Sequence, residues 1–174
     1  MRRVSLLLVA SLSLLLLTAP SDAVAKKTVI GDMNSPWFHI GGGPGLNVNG
    51  SNGEGFGGRF TVGGGLYAIM FMGGGQFELS ANSSLPLSVS GVGILGITIP
   101  IPVFHPFFAF KAGGGMASDG FDIGPELKLG GTLGFIIRKF DGKPGFRLAV
   151  EPSYLISPVY FAGFETYVTF SLVL

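Results

Sequence analysis

Residues 164–174 read Phe-Glu-Thr-Tyr-Val-Thr-Phe-Ser-Leu-Val-Leu, and this stretch decides the fold. Phe164, Thr166, Val168, Phe170, Leu172 and Leu174 share one parity and are apolar save one threonine. Glu165, Tyr167, Thr169, Ser171 and Val173 share the other, which carries the charge and the hydroxyls. A period of two is that of a strand with unlike faces; a helix groups residues three and four apart and does not keep charge on alternate positions. Residues 146–156 repeat the pattern. Phe146, Leu148, Val150, Pro152, Tyr154 and Ile156 oppose Arg147, Ala149, Glu151, Ser153 and Leu155. Pro152 has no N–H to give to a ladder, so a bulge or a strand end is expected there.

Working outward, the same alternation predicts strands at residues 126–138, 105–116, 87–99, 75–83, 58–71 and 37–48. Turn-forming residues separate them. That makes eight strands, an even number, so both ends of the barrel fall on one side. Links near residues 72–75, 100–104 and 139–143 are expected on that side, the periplasmic one. Links near 49–57, 83–87, 117–125 and 156–159 are expected on the extracellular side. The fold class read from this is all-β: an eight-stranded antiparallel up-and-down transmembrane β-barrel.

Composition agrees. Of 174 residues, 47% are hydrophobic and only 12% charged, about half the usual charged share. Such a chain needs its apolar surface against lipid or buried. No segment of the mature chain reads as a membrane-crossing helix, and a closed barrel is the other structure that satisfies every backbone polar group within a bilayer. The chain has no cysteine, and a closed barrel needs no disulfide staple.

The first 25 residues read as a secretory signal peptide. Arg2 and Arg3 precede the uncharged run at residues 4–17, and Ala23-Val24-Ala25 supplies a cleavage site ahead of Lys26-Lys27. The run is shorter than a spanning helix requires. Residues 1–25 are thus the expected signal peptide, 26–36 a periplasmic lead-in and 37–174 the barrel, exported to the bacterial outer membrane. Without residues 1–25 the chain carries nine Lys and Arg against nine Asp and Glu, so no basic excess points to nucleic acid.

Three stretches resemble the OmpA/OmpX-type small outer-membrane barrels. They are residues 105–115 (HPFFAFKAGGG), 145–154 (GFRLAVEPSY) and 167–174 (YVTFSLVL). The resemblance covers nearly all of the mature chain and reports barrel strands rather than an activity. It implies two partners, outer-membrane lipid and the outer-membrane insertion machinery, which in that family recognises an alternating last strand with a final aromatic. This chain keeps the alternation and has Leu174 at that position. A monomer is expected.

With the apolar parity assigned to lipid, the lumen receives Arg59, Glu78, Lys111, Glu126, Lys128, Arg147, Glu151 and Glu165. Four are basic and four acidic. The interior of an eight-stranded barrel is about filled by side chains, so these charges must pair. A structural plug of ion pairs is one reading; a narrow polar path or gate is another. The glycine triplets at residues 41–43, 63–65, 73–75 and 113–115 lack P-loop spacing. They read as bends and as room for long lumen side chains.

An enzyme would need a nucleophile and a base in reach. The candidate bases are His39, of inward parity, and His105, ahead of Pro106, both expected toward the periplasmic side. Neither sits beside a serine in a His-x-Ser motif, and two histidines without cysteine give no metal-ligand spacing. No catalysis, cofactor or metal is expected. Trp37, Phe38, Phe104, Phe107, Phe108, Phe140, Tyr154, Tyr160, Phe161 and Phe164 fall near strand ends, where aromatic girdles sit. The expected role is structural, in envelope integrity or surface interaction. Two alternatives stay open: a transport or binding barrel for small or apolar molecules, and a soluble periplasmic lipocalin-like carrier.

Overall fold

The computed structural model describes residues 36–49, 53–68, 70–83, 87–99, 101, 103–138, 144–159 and 161–174. The signal peptide and almost all of the lead-in lie outside these residues, as do Phe140 and Tyr160. Eight strands form one closed antiparallel barrel, each paired with its neighbours in sequence and β8 with β1. They are β1 (Pro36–Asn49), β2 (Gly53–Ala68), β3 (Phe71–Asn82), β4 (Leu87–Thr98), β5 (Val103–Ser118), β6 (Ile123–Arg138), β7 (Gly145–Ser157) and β8 (Phe161–Val173). Closure leaves no edge strand. The seam is tied further by paired hydrogen bonds between Phe38 and Leu174, whose N donates to the Phe38 carbonyl at 2.9 Å.

Strand number and stagger set the width of the lumen. Partner by partner, His39 leads to Gly63, Gln76, Val92, Gly113, Lys128, Leu155 and Gly163, and then to Asn49. The path returns to β1 ten residues beyond its start. Eight strands with that stagger lean about 40° from the axis and leave an interior just wide enough for side chains.

The strands run further into the links than alternation alone indicated. The link expected at 49–57 gives up Gly53 and everything after it to β2, and the loop expected at 117–125 shrinks to residues 119–122. Glycine and polar residues hid these strand ends, because a ladder needs only backbone groups. The β2–β3 link falls at residues 69–70, not 72–75, so the triplet Gly73-Gly74-Gly75 lies inside β3. The 73–75 triplet looked like a turn because glycine punctuates turns; here it pairs with Leu66, Gly65 and Gly64.

Pro152 makes neither a bulge nor an end. β7 pairs with β8 straight through Pro152↔Thr166, and its register with β6 is the same on both sides of the gap between Gly130↔Ser153 and Leu133↔Val150. The ladder lapses locally because proline has no N–H, but no residue is inserted. Pro44 does the same on the β8 side of β1, between Gly42↔Phe170 and Gly45↔Tyr167.

Burial alternates as strictly as the sequence. Along β7 every odd residue from Gly145 to Ser157 is buried, and along β8 every odd residue from Gly163 to Val173. The two faces differ in kind. Among the described strand residues, Glu54 is the only charged side chain of outward parity. The outward parity otherwise presents residues such as Leu95, Phe110, Leu133, Phe146 and Phe170, all largely exposed.

Candidate functional site in the lumen

The structure places Arg59, Glu78, Lys111, Glu126, Lys128, Arg147, Glu151 and Glu165 inside the barrel, all buried. They come from β2, β3, β5, β6, β7 and β8, and the stagger brings them to the middle and far part of the lumen. Two acids act as hubs. Glu78 accepts from Lys111 Nζ at 2.7 Å and Lys128 Nζ at 3.0 Å, and lies 3.4 Å from Arg59. Glu151 accepts from Lys111 Nζ at 2.8 Å and Arg147 Nη2 at 2.8 Å, and lies 3.6 Å from Arg59. Arg59 also pairs with Glu165, which takes Lys128 at 3.0 Å. Glu126 stands at the margin, 3.6 Å from Lys128 and accepting from Ser88 Oγ at 2.8 Å.

Neutral side chains of the same parity complete the network, and charge-based reading passed over them. Gln76 Nε2 donates to Glu78 and Glu151 at 2.9 and 3.2 Å, so one amide ties the two hubs. Thr169 Oγ1 donates to Glu151 at 2.9 Å, and Arg147 Nη2 donates to Thr132 Oγ1 at 3.0 Å. The Arg59 guanidinium lies over the Tyr167 ring, 4.0 Å from its centroid. Their signal in the sequence was position: each falls on the inward parity of a strand that carries a charge. Shared hydrogen bonds of this kind are what make buried ion pairs tolerable.

The terminal end of the lumen has different contents. Trp37, Met72, Ile94, Phe107, Ile136 and Val173 pack there as an apolar cluster. This corrects the aromatic girdle in two places. Trp37 and Phe107 are 4% and 3% exposed and point inward, whereas Phe104, Phe108, Tyr154, Phe161 and Phe164 are exposed on the outside. Position near a strand end does not distinguish a girdle from a plug; parity does, and both residues share the parity of lumen neighbours. His39 is buried in the same layer, its ring stacked parallel on Trp37 with centroids 5.4 Å apart. His105 is half-buried at the start of β5. Arg147 joins the layers, with its guanidinium 5.2 Å from the Phe107 ring centroid and its Nη2 on Glu151.

The inward glycines serve this packing less through the ion pairs than expected. A Cβ at Gly63 would meet the His39 ring first, at 2.7 Å, while one at Gly74 or Gly45 would meet the neighbouring strand's carbonyl and, just beyond it, the Trp37 or Tyr167 ring. At most other inward glycines the first obstacle is the neighbouring strand's backbone, as at Gly115, where the Val89 carbonyl lies 1.9 Å away. What these glycines permit is close approach of strands and ring packing.

A cavity of ≈ 10 Å³ lies among Trp37, His39, Met72, Thr132, Arg147 and Val173. That is room for about one water molecule. Among the described residues no group of three or more His, Asp or Glu is arranged to hold a metal ion. No helix among them is long and apolar enough to cross a membrane, which says nothing about crossing by strands.

No protein-family model and no curated protein sequence matches the chain. Among solved structures it is similar to Neisserial surface protein A (NspA), with a TM-score of 0.61 at 8% identity, covering 80% of this chain and 96% of that one. At that identity the likeness is one of fold, and the fold it shares is the eight-stranded up-and-down barrel.

Proposed function

We propose that this chain is a bacterial outer-membrane barrel, exported behind a cleaved signal peptide, with a non-enzymatic role in envelope integrity or surface interaction. One observation carries the reading: the barrel is inverted relative to a soluble protein. Its inside holds eight charges in mutual contact, and its outer strand face has one. In water that outer face would be an apolar patch far larger than soluble monomers expose. In a bilayer it is the face a barrel must present. The fold likeness to a protein described as a surface protein supports the same reading.

The lumen is closed by the eight charges acting as a plug. A carrier or transport barrel for small apolar molecules needs an apolar interior with free volume, whereas the middle of this lumen is filled by charged and polar side chains. The partners that follow are bilayer lipid along the wall and the insertion machinery through β8, with the barrel acting as a monomer.

Cell fractionation tests the location. The protein is expected in the outer-membrane fraction, released only by detergent and migrating faster on gels before heating than after. Recovery in the periplasm without detergent would overturn the proposal. In planar bilayers the purified barrel is expected to show no steady conductance; stable channels well above leak would defeat the plug.

A further inference from the structure

The terminal layer of the lumen is apolar in outline, yet two of its rings carry polar atoms. Trp37 Nε1 and both ring nitrogens of His39 are buried without a hydrogen-bond partner among the described residues. The two rings cannot serve each other. They are stacked within 1° of parallel, with centroids 5.4 Å apart, and a ring N–H points along its own plane. Each ring therefore needs a partner at its edge.

Gln76 is the polar side chain beside His39. Its Nε2 donates to Glu78 and Glu151, and its Oε1 is without a donor. That oxygen can only accept, so it suits the N–H of a neutral imidazole. The second imidazole nitrogen then presents a lone pair and needs a donor, while the Trp37 N–H needs an acceptor. Arg147 does not fill the first need, since Nη2 goes to Thr132 and Glu151 and Nη1 to Thr169. Gly63 leaves room at the His39 edge: a Cβ there would lie 2.7 Å from Cε1 and 3.2 Å from Nε2.

One small molecule that both donates and accepts meets the two needs together. An anion such as chloride only accepts, and a metal ion offers nothing to the Trp37 N–H. The ≈ 10 Å³ cavity has Trp37 and His39 in its wall, with Thr132 and Arg147 beside them and Met72 and Ile136 closing it. That is about the room of one water molecule. Leaving a buried donor and a buried acceptor unpaired costs more than immobilising one water.

We infer that the lumen holds one ordered water molecule between its apolar and ionic layers, accepting from Trp37 Nε1 and donating to a ring nitrogen of His39. Through His39 and Gln76 it ties the terminal layer to the two acidic hubs. The site lies inside the barrel, so it stands apart from what the outer face meets.

Trp37 is the chain's only tryptophan, so its indole N–H gives one signal that needs no assignment. The isotope-labelled protein is refolded in detergent micelles and checked for the heat-dependent gel shift. Cross-peaks between that N–H and water are then measured in the laboratory and rotating frames. A cross-peak that reverses its sign between the frames is expected, as a long-lived water gives; proton exchange keeps one sign. Val173→Ile puts a methyl group into the cavity and should abolish the peak, and His39→Phe should do the same. Thr132→Val and Tyr67→Phe remove the cavity's two hydroxyls, which could relay exchange, and should keep it. No peak, an exchange signature alone, persistence in Val173→Ile or His39→Phe, or loss in either hydroxyl variant would overturn the site. Where His39→Phe fails to refold, Val173→Ile decides. Each of these outcomes leaves the outer-membrane reading intact, because fractionation tests that separately.

Discussion

The middle of the lumen and its terminal end are filled by opposite chemistry. Glu78 and Glu151 are held by ion pairs and hydrogen bonds; a few residues away, Trp37, Phe107 and Ile136 pack as an ordinary apolar core. Both layers exclude solvent, but they fail differently. The ionic layer is stable only while complete, since a buried charge without its partner costs more than the pair contributes. The apolar layer loses stability in proportion to the volume removed and gains no unpaired charge.

The largest effect should come from the ionic hub. Glu151→Ala leaves Arg147 without a carboxylate and takes one of two or more partners from Lys111 and Arg59, and should destabilise the barrel by about 3–5 kcal/mol, read as a lower urea midpoint for loss of the fast-migrating gel form. Adding Arg147→Met should cost less than the sum of the single changes, because the orphaned guanidinium goes with its carboxylate. Additive costs would show that the two layers do not differ in the way described. Phe107→Ala in the apolar layer should cost about 3 kcal/mol and show no rescue by any charge change. In planar bilayers neither Glu151→Ala nor Phe107→Ala alone should conduct steadily, since each leaves the other layer closed.

Glycine substitutions carry the contrast across the wall. Gly63→Ala drives a methyl into the His39 ring and should cost about 1–3 kcal/mol. At outward Gly91 nothing lies within 4 Å of a Cβ, so Gly91→Ala should be neutral or stabilising by up to about 1 kcal/mol in the same urea assay. Equal costs at the two sites would break the distinction between packed and free faces. A comparably small effect should come from Pro152→Val. It returns an N–H to the lapsed β6 ladder and should add about 1 kcal/mol, with slow exchange of the new amide.

Much of this was legible in the chain because a strand has a period of two. Parity alone put the eight lumen charges on one face, and the structure places all eight inside, where they touch. Parity also named Gln76 and Thr169 as inward, but not as partners, since neutral residues announce no attraction. It could not separate Trp37 and Phe107 from the exterior aromatics once nearness to a strand end was taken as the guide. Glycines 73–75 misled because the same residue that forms turns also lets barrel strands approach closely.

By itself, the sequence determined that this chain makes eight two-faced strands with charge on one face and hydrocarbon on the other. Local alternation suffices for that, since each residue's side follows from its neighbours. Only the tertiary structure decided which charge meets which and where the apolar layer lies. These depend on the ten-residue stagger with which β8 returns to β1, a relation between residues far apart in the chain that no local pattern records.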